Sequence, residues 1–172
     1  MIFRRRLPPE LRPALAAGER VVAWARAGDP AGPVVVATDA GLHLPGRDRR
    51  LGWHEIHKAT WSGRDLAITP AEVVEERPGY AVTADRPPVA VPVPEPGDLP
   101  RVVRTRVTRS VSFSSHHRVP GGGVRVVARR VPGVDGLRWA VRYDAGTNPH
   151  GPGVRDATDV LVAAHRAARE PG

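Results

Sequence analysis

A serine pair followed by a histidine pair, Ser114 to His117, brings nucleophile and base residue types together within four positions. Hydrolysis by such residues needs the histidine to accept the serine proton, and it needs an acid to orient the histidine. Asp144 and Asp156 are acids that could complete the set. Adjacency along the chain does not build a triad, however. We therefore expect no catalytic residue here and a protein that is not an enzyme.

A second cluster, WHEIH, places His54 and His57 on either side of Glu55. On a strand, residues three apart point to opposite faces, so the two histidines cannot hold one metal ion together. A zinc site would need further ligands, and the chain has no cysteine. We expect no metal site and no cofactor, with Trp53 and Trp61 packing in the core or at its rim.

Positive charge is the third kind of chemistry that the sequence offers. The net charge is +8, and residues 99–131 contain eight arginines and no acid, so this segment carries the whole excess. The rest of the chain sums to zero. A local excess attracts phosphate or other anionic partners more strongly than a diffuse one does. We expect a surface for an anion or a partner in this segment.

The candidate binding residues are six arginines of this basic segment. In a helix, Arg101, Arg104 and Arg109 would flank the apolar stripe, and Arg125 and Arg129 would share one face of the following strand. The candidates are Arg101, Arg104, Arg106, Arg109, Arg125 and Arg129.

The chemistry of the partner is less defined than the charge. Phe113 is the one aromatic residue between Arg101 and Val119, so the stacking platforms of RNA and single-strand binders are missing. No zinc-finger or recognition-helix pattern is present, and no amphipathic helix with bulky residues supports membrane insertion. We favour a protein partner of unknown identity, with nucleic acid or an anionic membrane surface as the alternative for residues 101–130.

Two acids of the last segment offer an intramolecular alternative for the same charges. Asp156 and Asp159 could face Arg106 or Arg109 and leave little free positive field. The sequence does not decide between a free and a paired arginine surface.

Length and composition bound the class of fold. A chain of 172 residues fits one domain, with or without an appendage, and 41% hydrophobic residues exclude a disordered chain. Nineteen prolines and eighteen glycines imply many turns and short elements. No apolar run reaches the roughly 18 residues of a membrane span, and none of signal-peptide length follows MIFRRRLPPE. We expect a cytoplasmic, β-rich protein without a transmembrane segment.

Hydrophobic periodicity predicts the elements. Leu7, Leu11 and Leu15 have helical spacing and predict a short amino-terminal helix that ends at Gly18, after a basic lead-in that includes Arg4. From Arg20 onward, short β-branched runs alternate with turn signals such as GDPAG and TDAG. Their spacing of roughly eight to twelve residues predicts an antiparallel meander that closes into a small bent barrel.

Residues 99–117 fit two different elements. As a strand, their odd positions would face inward, and the valine, threonine and serine content suits a strand. As a helix, they form one apolar stripe, and Asp98 with Pro100 makes a good helix start. We favour the helix. The stripe consists of Leu99, Val102, Val103, Val107 and Val111, and the polar residues near the middle of its arc are Arg106, Ser110 and His117.

The last 50 residues predict a hairpin and a helix. Residues 124–131 and 136–144 are two strand-like runs joined by a turn, PGVDG. Asp156 near the start of residues 154–170 and His165 near their end suit the helix dipole. The apolar face of this predicted helix contains Ala157, Val160, Leu161, Ala164 and Ala168.

Four stretches, GERVVAWA, VVATDAGLHL, LGWHEIHKATW and LAITP, resemble the bacterial pleckstrin-homology-like domains of uncharacterised actinobacterial proteins. In those domains a strand pair ends in a T-x-x-G-L turn, and a strand of the type I-P-W-x-x-I follows. The resemblance covers about residues 18–95. Matching residues are Thr38, Gly41 and Leu42 in the turn, and Trp53 and Ile56 in the next strand, while Gly52 departs from the pattern.

The resemblance implies a bent antiparallel barrel capped by a helix. It also implies a binding platform without catalytic residues. We thus expect an α+β, mainly β fold in three parts: a lead-in with a short helix (residues 1–18), a pleckstrin-homology-like barrel with its capping helix (19–119), and a hairpin plus carboxyl-terminal helix (120–172). The third part lies outside the resemblance.

Overall fold

The computed structural model of the chain describes residues 5–170, and 42% of these residues are strand against 20% helix. This balance confirms the predicted class, α+β and mainly β. Residues 5–70 and 87–108 form one compact unit, called the first unit below. Residues 71–86 and 109–170 form the second unit.

Eleven strands and two helices lie within residues 5–170. The strands are β1 (Val21–Arg26), β2 (Val34–Thr38), β3 (Gly41–His43), β4 (Leu51–Gly52), β5 (Ile56–Trp61), β6 (Asp65–Arg77), β7 (Tyr80–Asp85), β8 (Val89–Pro92), β9 (Val111–Val119), β10 (Gly122–Arg130) and β11 (Leu137–Tyr143). The helices are α1 (Leu99–Ser110) and α2 (Val154–Arg169).

The first unit contains two groups of paired strands. Strands β1 to β4 form an antiparallel sheet in chain order. Strands β5 and β8 both pair with residues 65–70 of β6. Alternation of apolar and polar residues along these strands gives the unit its own core, in which Val35, Leu42 and Ile56 are fully buried.

Two tryptophans that the sequence places in the core or at its rim occupy those positions. Trp53 is buried, and its indole Nε1 donates a hydrogen bond of 3.1 Å to the carbonyl oxygen of Thr38. Trp61 is partly buried and packs against the same core. His54 lies in the short 3-10 turn Trp53–Glu55, whereas the sequence analysis treats it as part of a strand.

Helix α1 covers the first part of the segment for which helix and strand compete. Its stripe is confirmed as far as Val107, because Leu99 and Val103 are fully buried and Val102 and Val107 nearly so. The helix begins with Pro100 in its first turn, where the missing N–H of proline has no helical partner to lose. These residues belong to the core of the first unit.

The helix prediction is wrong for residues 111–117. The chain passes from Ser110 directly into β9, whose residues pair antiparallel with β10. A hydrogen-bonded ladder with a strand later in the sequence supplies partners for this backbone, and the β-branched and serine content suits it. His117 therefore lies on a strand, not at the end of a helix.

The predicted amino-terminal helix is reduced to one 3-10 turn, Pro9–Leu11. Arg12 has extended backbone angles, φ −71° and ψ 124°, because it precedes Pro13, and proline disfavours helical geometry in the residue before it. Pro13 would also remove a backbone donor from a helix interior. Arg4, in the predicted lead-in, lies outside the described residues.

The second unit is one sheet with a helix on one of its faces. Its strands run in the order β6, β7, β11, β10, β9, where β6 contributes residues 71–77. Strand β11 pairs parallel with β7, and the other neighbours are antiparallel. The hairpin of β10 and β11 and the final helix α2 confirm the predictions for residues 120–170.

Helix α2 packs with a face that differs slightly from the predicted one. Val154, Thr158 and Val162 are buried at intervals of four residues, with Ala157 and Leu161 partly buried beside them. Val160, placed in the apolar face by the sequence analysis, is 69% exposed. The buried hydroxyl of Thr158 donates to the carbonyl of Val154 at 2.8 Å, which lets a polar residue take part in this face.

A buried arginine joins the strands of the second unit to helix α2. The side chain of Arg77, at the end of β6, is completely buried, and it donates two hydrogen bonds of 2.9 and 3.0 Å to the Glu75 carboxylate. Its Nη1 donates to the hydroxyls of Tyr80 and Tyr143, at 3.1 and 2.9 Å. The bonds to Glu75, against the opposing effect of burial, raise the pKa of Arg77, so the guanidinium keeps its charge.

The two tyrosine hydroxyls carry the network onward to α2. The hydroxyl of Tyr80 donates to Asp159 at 2.6 Å, and that of Tyr143 lies 2.8 Å from the hydroxyl of Thr158. Burial, with the added effect of the Asp159 carboxylate, raises the pKa of Tyr80 to about 12. Asp159 therefore has a partner inside the second unit, and within residues 5–170 neither it nor Asp156 forms an ion pair with an arginine.

Replacement of Arg77 tests how far the second unit depends on this network. Arg77→Met should lower the free energy of unfolding by about 2 kcal/mol, less than for a fully buried pair, because Glu75 keeps contact with water. Arg155 is a matched control, because it lies 3.8 Å from the same carboxylate but is half exposed. Arg155→Met should stay within about 0.5 kcal/mol of the parent protein. Urea denaturation followed by circular dichroism measures both, and equal effects of the two variants would contradict this role of Arg77.

Candidate functional site

One face of the second unit's sheet carries a concentration of arginine. Along β10, Val124, Val126 and Ala128 are buried towards α2, so the residues between them point to the opposite, outer face. The strand pairing adds residues of β9 and β11 to the same face. We call the following five residues of this outer face the basic face: Arg118, Arg125, Arg129, Arg138 and Arg142.

The register places like charges directly opposite one another. Arg125 is paired with Arg142 on β11 and with His116 on β9, and Arg129 is paired with Arg138. Side chains of directly opposed residues lie about 5 Å apart at Cβ, and like charges in such pairs destabilise a sheet. The pairing of arginine with arginine is therefore unfavourable for the stability of the second unit's sheet.

Carboxylates neutralise only part of this positive charge. Arg142 donates to Asp85 at 2.8 Å, and His116 contacts Asp144 at 2.7 Å. Within the described part of the chain the other four arginines of the basic face form no ion pair with a carboxylate. The five arginines of the basic face thus outnumber the two carboxylates, Asp85 and Asp144, that contact this cluster.

Two neutral serine hydroxyls accept hydrogen bonds from arginines of the basic face that have no carboxylate partner. Arg125 donates to the hydroxyl of Ser114 at 3.1 Å. Arg129 donates to the buried hydroxyl of Ser110, the last residue of α1, at 2.9 Å. Hydroxyls orient a guanidinium without neutralising it, so both arginines keep their full positive charge.

The hairpin β9–β10 accommodates the contact between the His116 ring and the Asp144 carboxylate. A side chain at Gly123, which lies between them on β10, would collide with the Asp144 carboxylate and the His116 ring. The Ser114 hydroxyl accepts a hydrogen bond from Arg125, while the His116 ring contacts Asp144. Alternation along β9 sends His117 to the opposite face, so the cluster of Ser114 to His117 is divided between two surfaces.

The six predicted candidates are divided between the two units. Arg101, Arg104 and Arg106 lie on α1 in the first unit, where Arg101 pairs with Asp98 at 3.3 Å and Arg104 is exposed. The second unit contains the other three candidates. Of these, Arg125 and Arg129 share the basic face, whereas Arg109 accepts a hydrogen bond from Arg130 at its carbonyl oxygen.

Three residues of the basic face, Arg118, Arg138 and Arg142, are not among the six predicted candidates. Arg118 lies within residues 99–131, the segment without acids on which the charge argument rests, whereas Arg138 and Arg142 lie beyond it. The signal was nevertheless present, because in a hairpin two residues at equal distance from the turn face each other. Arg129 and Arg138 are at equal distance from the turn, and so are Arg125 and Arg142.

Other chemistry is sparse in the described residues. Within residues 5–170, no group of three histidine, aspartate or glutamate side chains is arranged to hold a metal ion. No helix of this part of the chain is long and apolar enough to cross a membrane. No protein-family model, curated protein or solved structure matches the chain. The basic face is therefore the feature from which a function must be argued.

A histidine pair joins β9 to α2 on the face opposite the arginines. The Nε2 atoms of His117 and His165 lie 2.9 Å apart, and only one of them can donate in this contact. His165 also lies against the ring of Phe113, with Arg169 over that ring at 3.5 Å. Burial first, then the proximity of His117 and Arg169, lowers the pKa of His165 below its ordinary value of 6.5. The folded protein thus favours the neutral form of His165.

Replacement of Arg129 tests whether the basic face costs stability. Burial of the Arg129 guanidinium, followed by repulsion from Arg142, lowers the pKa of Arg129. Arg129→Met should therefore raise the free energy of unfolding by about 1 kcal/mol, since it removes a desolvated like charge. Arg130→Met, at the next and exposed position, should change it by less than about 0.5 kcal/mol. A lower melting temperature for Arg129→Met than for the parent would show that this charge stabilises the sheet.

Acidification tests the histidine pair. Because the folded state lowers the pKa of His165, the unfolded chain binds more protons, and stability should fall as pH drops from about 7.5 to about 5.5. His165→Phe should reduce this pH dependence. The carboxylates with lowered pKa, Glu19, Glu55, Glu75 and Glu170, lose their contributions below about pH 4.5. Equal slopes for parent and variant in denaturant titrations across this range would refute the interpretation.

Proposed function

We propose that this chain is a noncatalytic binding module that holds a protein partner through the basic face. The observation that carries the proposal is the pairing of arginine with arginine across β10 and β11, with hydroxyls where acids would neutralise the charge. A partner with acidic side chains would supply the missing carboxylates. Guanidinium groups bind carboxylates with two parallel hydrogen bonds, which gives such a contact direction as well as charge.

The energetic cost of the basic face supports a binding role. Arginines on an ordinary solvated surface often pair with acids, whereas Arg125, Arg129 and Arg138 form no ion pair with a carboxylate of the described residues. Sites that bind charged ligands commonly sacrifice stability in this way, because the ligand removes the repulsion when it binds. The basic face also creates a positive potential that speeds encounter with an acidic partner.

Nucleic acid or an anionic membrane surface is the second candidate partner, and the cluster of positive charge favours it as well. Arginines that are spaced along a surface are sufficient to contact the phosphates of a nucleic acid or of lipid head groups. Single-stranded nucleic acid is usually held by stacking on aromatic rings as well. Phe113, however, faces α2, where its ring packs against Trp139 and His165. We therefore rank a protein partner first.

We further propose that the first unit is a pleckstrin-homology-like scaffold. The residues that carry the resemblance have structural roles there: the Thr38 hydroxyl accepts hydrogen bonds from the backbone N–H of Ala40 and Gly41, which closes the turn. Leu42 and Ile56 are fully buried in the core. Helix α1 adds its apolar stripe to that core. These features support a barrel with a helical cap.

Capture experiments on two charge variants test the function. The full chain is immobilised and exposed to lysate of its source cells, with and without nuclease, and retained proteins are quantified by mass spectrometry. Arg125→Gln with Arg138→Gln removes two charges from the basic face. We expect one partner to survive nuclease treatment and to drop at least fivefold with this variant, because the surface that attracts its carboxylates is weakened.

The matched control removes the same charge from α1. Arg101→Gln with Arg104→Gln should leave capture unchanged, because both residues lie on α1 and not on the basic face. Capture that vanishes with nuclease would favour nucleic acid over a protein partner. Capture that falls only with the α1 variant would move the binding surface to the helix and contradict our proposal.

A further inference from the structure

Strand β9 forms the outermost edge of the second unit's sheet. It has nine residues, and within the described residues it pairs with β10 alone. In a strand, alternate residues direct their backbone N–H and C=O groups to one side, so an edge strand leaves a row of these groups without a sheet partner. Proteins commonly protect such edges with proline, very short strands, charged side chains or β-bulges. Strand β9 contains no proline and has nine residues, and it carries the charge of Arg118 and a bulge opposite Ala128 and Arg129.

The outer side of this edge is polar, exposed and positive. Ser112, Ser114, His116 and Arg118 are all exposed along it. Arg125, although it belongs to β10, reaches the Ser114 hydroxyl, so its guanidinium lies above the edge strand and not above its own strand. A strand added next to β9 would lie about 4.8 Å farther out, within reach of that guanidinium.

The inner side of the edge combines the Phe113 ring with the polar side chains of Ser115 and His117, and it is incompletely covered. Phe113 and His117 face α2, yet both remain partly exposed. His165 and Arg169 of α2 contact the Phe113 ring, and His117 contacts His165. A further strand beside β9 would extend this side of the sheet and would cover the remaining surface of Phe113.

We propose that the protein partner binds by strand addition: an extended acidic segment pairs with the free edge of β9 and directs its carboxylates to the basic face. This inference rests on the proposed function, and it specifies how the partner is held. The segment alternates acidic residues, which face Arg118 and Arg125, with apolar residues, which face Phe113. Backbone hydrogen bonds supply affinity, and the alternating side chains supply selectivity.

Charge complementarity selects this occupant over a second copy of the chain. A second copy would bring another basic face beside the first, and like charges close together oppose association. An acidic segment instead places a carboxylate beside Arg125, whose present partner is a neutral hydroxyl. Neighbouring strands bring opposed side chains to about 5 Å at Cβ, which suits an ion pair.

A synthetic peptide separates strand pairing from simple charge attraction. The probe is a blocked peptide of nine residues in which glutamate alternates with valine. Two further peptides have the same sequence and charge but carry N-methyl groups on either all glutamate or all valine nitrogens. Because alternate N–H groups point to opposite edges, each methylated peptide loses the donors of one edge. Binding to the full chain is measured by isothermal titration calorimetry.

We expect the parent peptide to bind and one methylated peptide to bind at least tenfold more weakly, while the other stays within about threefold. Amide hydrogen exchange followed by NMR should then slow at alternate residues of β9, since new hydrogen bonds protect them. The variant Arg125→Gln with Arg138→Gln should weaken the parent peptide as well.

Two other outcomes separate the two proposals. If all three peptides bind equally and the arginine variant weakens each, the basic face binds acidic proteins by charge, and strand addition is wrong. If no peptide binds while a short single-stranded oligonucleotide binds and depends on the same arginines, both the strand addition and the protein partner are wrong. Unchanged exchange at β9 in the presence of saturating parent peptide would likewise overturn strand addition.

Discussion

The buried guanidinium of Arg77 is the contact on which the second unit depends. It is connected to Glu75 on its own strand, to Tyr80 on β7 and to Tyr143 on β11, and the tyrosines pass the network to α2. A charge in the interior is tolerable only when every donor finds an acceptor. The three strands that satisfy Arg77 must therefore hold one relative position, and the bonds from their tyrosines to α2 fix which face of the sheet α2 covers.

The arrangement of the basic face follows from the side of the sheet that α2 covers. Once α2 covers one side of the sheet, alternation along β10 assigns Val124, Val126 and Ala128 to the core and the arginines between them to the other side. The hairpin register then sets arginine against arginine. The same rule divides the histidines of β9, because His116 pairs with Asp144 on the outer face and His117 meets His165 below α2. The packing of α2 on one face of the sheet thus creates both the charged outer surface and the pH-sensitive contact of His117 with His165.

Polar residues in the first unit show a similar dependence on distant partners. Glu19 is almost completely buried in the loop before β1, and it accepts hydrogen bonds from Thr38, His43 and Arg50. Burial opposes its ionisation, but the hydrogen bonds outweigh this effect and lower the pKa of Glu19. The turn between β2 and β3 is held by this carboxylate. Nothing in the neighbourhood of Glu19 along the chain indicates such a role.

The amino-acid sequence by itself determined the α+β class, the apolar stripe at the start of α1, the hairpin of β10 and β11, and helix α2. These features depend on contacts within about a dozen residues, which periodicity and turn residues report directly. Part of the basic face, Arg125 and Arg129, was predictable for the same reason. Arg138 and Arg142 followed only from the register of the hairpin.

Only the tertiary structure decided whether residues 111–117 form a helix or a strand, because local propensity allowed both and the ladder with β10 selected the strand. It also decided the environment of Arg77, whose partner Tyr143 is 66 positions away. Hydrogen bonds over such separations leave no periodic trace in a sequence, since each partner is an ordinary residue in its own segment. The sequence of this protein thus specifies its elements and its charge, and the fold specifies which charges remain available for a partner.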